Sequence, residues 1–347
     1  MSKKLIHLVL VVAILACALF ITGCGKPKKE INVYNWGDYI DESVLKNFEK
    51  KFHIKVNYDT FTTNEDMYVK LKVGGGHYDV AIPSDYMIKR MIDEGMLDKL
   101  DFHNIPNYKY IGTNYRNLGY DPKNEYSIPY MWGTVGILYN KKMVNGKPDS
   151  WRILWDKKYA KQILMLDSQR DSVGIALKML GYSLNSKNPA ELEAAKKALI
   201  EQKPLVLAYV VDEVKDKMIA GEAALALVWS GDAFYCIREN KDLDYVIPKE
   251  GSNYWFDAMV IPKVSPHKKE AEMFINYMCQ TDVAYKNADY IGYASPHTEA
   301  VKRLPAGITH NRSAYPLPQD LTKSEIFVNL GTTIKLMDKI WTEIKSE

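Results

Sequence analysis

The chain has 347 residues and a formal charge of +3, which falls to +1 (44 basic against 43 acidic groups) once Lys3 and Lys4 of an N-terminal leader are set aside. That balance removes the electrostatic case for a nucleic-acid partner, and 47% apolar with 26% charged residues excludes a disordered chain. The length exceeds one ordinary core and points to two domains of about 150 residues.

Lys3 and Lys4 precede LIHLVLVVAILACALFIT, which ends in ITGC at residues 21–24 and gives way to the polar GKPKKE. By length alone the run suits a spanning helix or a secretory signal. Ile21-Thr22-Gly23-Cys24 resembles the bacterial lipobox, which implies a signal peptide over 1–23, acylation of Cys24 and a tether over 24–30. Such a chain is exported and held by its lipid on the extracytoplasmic face of the cell membrane. Cys236 and Cys279 remain, each in an apolar helical context, and are expected to be free buried thiols. No Cys/His cluster has metal-ligand spacing, so neither a metal nor a cofactor is expected.

After the tether, strand and helix alternate. Residues 31–36 read as strand, 41–51 as helix, IKVNYDTF as strand, 64–72 as helix, YDVAIPS as strand and 85–95 as helix. KQILMLDSQRDSVGIALKML and GEAALALVWSGDAFYCI each read as strand then helix. The order implies an α/β fold with parallel sheets and right-handed crossovers, whose ligands gather at the carboxyl ends of strands. YSIPYMWGTVGILYN is strand-like and too long for one edge, so it is expected to cross between lobes. DYVIPKEGSNYWFDAMVIPK reads as two strands about a turn. The tail presents Leu330, Ile334, Met337, Ile340, Trp341 and Ile344 as one helical stripe.

The strand ends share a composition: Trp36-Gly-Asp38-Tyr39, Ser84-Asp85-Tyr86, Ser168-Gln-Arg-Asp171, Trp229-Ser-Gly-Asp232 and Trp255-Phe-Asp257. Carboxylates accept charge-assisted hydrogen bonds from ammonium groups, while indole and phenol faces attract cations and cover methylenes. An anion site would call for Arg, Lys or a Gly-rich helix start, and only Arg170 answers that description. The set therefore suits a small flexible organic cation. Taken singly, Asp85 and Asp232 read equally as helix caps, Trp229 and Trp255 as core residues, and Asp167 as a strand terminus.

YNWGDYI, NEDMYVKLK, YDVAIPSDYM, YSIPYMWGT, ALVWSGDAF, IPKEG, YWFDAMVIP and IGYASP together resemble the bacterial polyamine-binding receptors for spermidine and putrescine, the substrate-binding components of ABC importers. The resemblance runs from about residue 30 to the C-terminus. It implies a two-lobed, periplasmic-binding-protein-like (type II) α/β fold with the ligand in the interlobe cleft and an ABC permease as partner. Lobe 1 would comprise 31–132 plus 258–302, and lobe 2 133–257 plus 303–347. Carried over, Trp36, Tyr39, Ser84 and Tyr86 line the ligand on one lobe, Trp229 and Trp255 stack from the other, Asp257 holds an ammonium and Tyr293 adds a phenol. Asp38 and Asp232 match acids of the putrescine-type receptors. Ser168 stands where spermidine-type receptors have an acid, Asp171 where Glu is usual, and Phe327 where a Gln meets the ligand. The pattern leans to putrescine with spermidine tolerated. The alternatives are the same fold around another small cation or an amino acid, and an exported enzyme, against which stands the absence of GxSxG, HExxH and phosphate-loop motifs.

Overall fold

The computed structural model describes residues 29–346 except residue 75. The expected signal peptide, Cys24 and most of the tether lie outside the described residues. Among those described, no helix is long and apolar enough to cross a membrane.

Among the described residues nine strands form one curled sheet in the order β2-β1-β3-β9-β4-β7-β5-β6, with β8 also pairing β4. They are β1 (Lys29–Trp36), β2 (Ile54–Phe61), β3 (Val80–Ala81), β4 (Ser127–Asn140), β5 (Ile163–Leu166), β6 (Val206–Val210), β7 (Leu225–Trp229), β8 (Leu243–Val246) and β9 (Tyr254–Val260). The helices that matter below are α1 (Glu42–Phe52), α2 (Asn64–Lys72), α3 (Asp85–Asp93), α4 (Gln169–Met179), α5 (Pro189–Gln202), α6 (Val214–Ile219), α7 (Ser230–Glu239), α8 (Lys268–Met278) and α9 (Thr281–Ile291). β1 pairs β2 and β3 in parallel, and β5 pairs β6 and β7 in parallel. The sheet is therefore built from two parallel sets.

β4 joins the two sets and runs antiparallel to all its neighbours. Its first half, Ser127–Thr134, pairs with β9, and its second half, Val135–Asn140, pairs with β7 and β8. Every residue of β4 is buried, and Ile128, Val135, Ile137 and Leu138 are wholly inaccessible. At about 1.5–3 kcal/mol for each large apolar side chain buried, this strand is a substantial part of the core, which is why it reads as a continuous apolar run. The two strands expected about a turn, β8 and β9, do not pair with each other; each pairs with β4, at opposite ends of it.

Local chemistry explains where the site-bearing elements stop. Asp41 caps α1 by accepting from the Ser43 amide at 2.8 Å, and Val44 and Phe48, one turn apart, form its buried stripe. Ser168 caps α4. β3 is only two residues, shorter than YDVAIPS suggests, because Pro83 has no N–H to extend the ladder. α5 and β6 fill residues 189–210, to which the sequence pattern assigned no element. Cys236 and Cys279 are both free and buried, as expected.

Candidate ligand-binding site

Trp36, Ser84, Ser168 and Trp229 lie at or just beyond the carboxyl ends of β1, β3, β5 and β7, all parallel strands, the position where open α/β sheets place ligands. After Trp36 the chain turns through Gly37 and Asp38, and Asp38 takes a left-handed conformation (φ 49°), which Asp tolerates better than most residues. The turn is pinned from several sides. The Tyr130 hydroxyl donates to the Tyr39 carbonyl at 2.7 Å, the Trp36 indole N–H donates to the Ile82 carbonyl at 2.8 Å, and the Tyr58 hydroxyl donates to the Trp36 carbonyl.

That turn aims Tyr39 at Asp257. The Tyr39 hydroxyl donates to Asp257 Oδ2 at 2.7 Å, and Ser84 bridges to Asp257 through the backbone with its own side chain beside the carboxylate. Asp257 is 4% exposed, and its Oδ1 has no hydrogen-bond partner among the described residues. Trp255, two residues earlier and so on the same face of β9, is also buried with its indole N–H unpartnered. Trp255 and Asp257 thus lie within β9 rather than at a strand end. The intervening Phe256 faces the other side, near Trp132 and Tyr115.

Tyr293 closes the ring of aromatics, edge-on to Tyr39 at 5.5 Å and to Trp255 at 5.2 Å. Its hydroxyl stands beside Asp232. Gly231 makes this approach possible, since a Cβ there would lie 2.4 Å from the ring of Tyr293. Asp171, on the first turn of α4, accepts from the Ser168 hydroxyl at 2.7 Å and lies beside the Trp229 indole. Tyr86 is buried, with its hydroxyl held by Asn64 at 3.1 Å and donating to Glu65 at 3.0 Å.

Two corrections concern the acids expected as caps. Asp85 does not cap α3; Ser84 holds that position. Asp85 is wholly buried, and its oxygens accept from the Tyr86 amide at 2.6 Å and the Phe256 amide at 3.1 Å. It ties α3 to β9 as a structural acid. Asp232 is the third residue of α7, behind Trp229 at the cap position. Asp167 pairs with Lys345 at 3.0 Å and belongs to neither group.

The carboxyls share one electrostatic condition. Burial pushes Asp257 up to about 7, opposed by its bonds to Ser84 and Tyr39. Burial also lifts Asp171 to about 6, opposed by Ser168 and Arg170, and Asp232 to about 6, opposed by Lys215. Asp85 is carried to about 8 by burial. Desolvation disfavours a carboxylate, and a cation placed beside it reverses the shift.

Two basic residues stand among these acids. Arg170, 2% exposed, lays its guanidinium over Phe327 at 4.3 Å and Tyr86 at 4.8 Å. Phe327 packs edge-on to Tyr86 at 5.9 Å. At the other end Lys215 Nζ meets Asp38 Oδ2 at 2.7 Å, with Asp212 and Asp232 flanking it. Sequence reasoning missed Lys215, Asp212 and Glu65. DEVKDK reads as a solvated helix face, and Glu65 as an ordinary first-turn acid of α2. A separate cavity lined by Met131, Cys279 and His297 has a volume of about 10 Å3, room for one water at most.

Residues 43–313 match the family model described as bacterial extracellular solute-binding protein. The spermidine/putrescine-binding periplasmic protein of Salmonella typhimurium is 35% identical over 315 residues, covering 90% of each chain. A solved structure from Listeria monocytogenes assigned to a spermidine/putrescine ABC transporter superposes with a TM-score of 0.89 at 44% identity, over 91% of this chain and 99% of that one. A Treponema pallidum lipoprotein superposes with a TM-score of 0.81 at 29% identity, over 92% of this chain and all of that one. The chain is a member of the bacterial extracellular solute-binding protein family, with the two-lobed α/β fold of the periplasmic binding proteins.

Proposed function

We propose that this protein is an exported receptor that captures a polyamine, putrescine or spermidine, and hands it unchanged to the permease of an ABC importer. The observation that carries the reading is Asp257, a buried carboxyl whose Oδ2 meets the Tyr39 hydroxyl and whose Oδ1 has no partner among the described residues. With Trp255 and Tyr293 packed around it, it offers an ammonium group both a charge-assisted acceptor and aromatic faces. The similarity to spermidine/putrescine-binding proteins supports the same ligand class.

The ligand set is Asp257 and Asp171 for ammonium groups, with Trp36, Trp229, Trp255 and Tyr293 along the methylenes. Tyr39, Ser84, Ser168 and Tyr86 position the acids and close the walls. Asp38 and Asp232 line one end. Four to eight covered methylenes at about 0.8 kcal/mol each, with two ammonium contacts of roughly 1.5–3 kcal/mol each, give roughly 6–12 kcal/mol, and an association cost of at least about 4 kcal/mol leaves enough at the upper end for about micromolar binding. Closure is a hinge motion of the two lobes about the crossings near 133, 257 and 303, favoured because the ligand touches both sides. The lipid on Cys24 keeps the receptor at the extracytoplasmic membrane face, a reading supported by ITGC and by similarity to a lipoprotein.

Isothermal titration with putrescine, spermidine, spermine and lysine tests the proposal. Saturable heat is expected from at least one polyamine and none from lysine, whose carboxylate would meet the acids. Silence with every polyamine would reject the function.

A further inference from the structure

Among the described residues six carboxyls, with the structural Asp85 behind them, and two cations are the charged groups of the site, and the cations are not spread evenly. Asp257 touches only hydroxyls, from Tyr39 and Ser84. Asp171 has its bond from the Ser168 hydroxyl, with Arg170 and Glu65 nearby. At one end Arg170 faces Glu65, Asp85 and Asp171. At the other, Lys215 is only 15% exposed and reaches from α6 to Asp38 on the turn after β1. Asp212, which lies so close to Gly37 that a Cβ there would meet its Oδ2 at 3.1 Å, completes the nest with Asp232.

Lys215 is thus an alkyl ammonium supplied by the chain itself, chemically the same as the end of a polyamine. It sits among the acids that a ligand extending past Asp257 in this direction would reach next. A third ammonium arriving there has two courses. It displaces Nζ and leaves a lysine charge, itself 15% exposed beside a 67% exposed Asp38, without its partners, or it stays beside Nζ and meets a like charge. A diamine engaging Asp257 and Asp171 meets neither obstacle.

We propose that Lys215 is a specificity-determining residue: its ammonium fills the Asp38–Asp212–Asp232 end of the cleft and makes the receptor prefer a diamine to triamines and tetraamines. The inference rests on the polyamine reading above and names which member of that class the site selects. Nothing in the sequence signals it, because Lys215 lies in a charged run on a short helix.

The test is calorimetric titration of the whole mature chain with putrescine, spermidine and spermine, for the wild type, Lys215→Met and Lys215→Gln. Lys217→Met serves as a control, since Lys217 lies on the same helix but pairs with Glu222 at 3.0 Å. Removing the Lys215 charge is expected to raise spermidine and spermine affinity relative to putrescine by tenfold or more, while Lys217→Met leaves the ratio within twofold. A ratio unchanged within threefold in both Lys215 variants, with putrescine still bound, overturns the role of Lys215 and leaves the polyamine function standing. A similar change in Lys217→Met also overturns it, because the effect would then be one of net charge. Loss of all polyamine binding by the wild type defeats both.

Discussion

Asp257 holds its proton up to about pH 7 because burial outweighs the two hydroxyls that steady it, and an ammonium group supplies what those hydroxyls lack. Replacing it with Asn keeps the shape and the bond from Tyr39 but removes the charge. Asp257→Asn is therefore expected to weaken putrescine binding by roughly tenfold to a hundredfold, the range of a hydrogen bond to a charged group, read by calorimetry at pH 7.5. The sign for stability is opposite. A carboxyl whose folded pKa is raised destabilises the folded state as pH climbs from its unfolded value of about 4 toward 7. The ligand-free variant should thus melt at or above the wild-type temperature at pH 8, the difference shrinking toward pH 5. A variant that binds normally, or melts lower at pH 8, would contradict the assignment of Asp257. Asp257 was legible from the aromatic-plus-carboxylate composition of YWFDAMVIP and its motif resemblance, although it lies within β9 and not at a strand end. Lys215 and Glu65 were illegible because their partners come from distant elements, and a single charge on a helix looks solvated until the fold brings acids against it.

Elements were legible where one local signal sufficed. β1 and α1 follow from an alternating strand broken by a Gly-Asp turn, and β4 from a long apolar strand-like run. β6 escaped because it is an edge strand, at the end of the sheet order, with only its two end residues buried, so its pattern is weak. β8 and β9 show the other limit: their strand character was readable, but strand pattern alone does not name a partner, and both chose β4. The junction of β7 with α7 carries a sharper constraint. Gly231 sits against the Tyr293 ring, and that ring touches Tyr39 and Trp255 while its hydroxyl serves Asp232. Gly231→Ala should push the ring from this position, lowering polyamine affinity by tenfold or more and stability by about 1–3 kcal/mol, the usual result of overpacking. Denaturant melts and titration of the same sample measure both. Wild-type affinity in this variant would show that Tyr293 has no part in the site.

At the scale of the whole molecule, the two-lobed class followed from motif resemblance together with the length of β4; the discontinuous order of the strands did not follow from any local pattern. What the assembled fold adds is a collective charge property. Asp171 and Asp232 titrate near 6, Asp257 near 7 and Asp85 near 8, each raised chiefly by burial. Each therefore contributes less to stability as pH rises through the window from about 5 to 8. The carboxylates held low by surface cations, such as Glu94 at about 2, change below that window and do not offset it. A bound diamine reverses the trend for the acids it touches, because it binds their charged forms and stabilises the folded state by an amount that grows with its affinity. The melting temperature of the ligand-free receptor should accordingly fall between pH 5 and 8, while the rise produced by a fixed millimolar putrescine concentration should grow across the same range. Asp85, engaged by backbone amides, should keep contributing to the decline in both states. Thermal melts at half-unit pH steps, with and without putrescine, measure the two curves directly. A ligand-induced shift that stays constant or shrinks with rising pH would mean that these buried acids do not meet the ligand's charge.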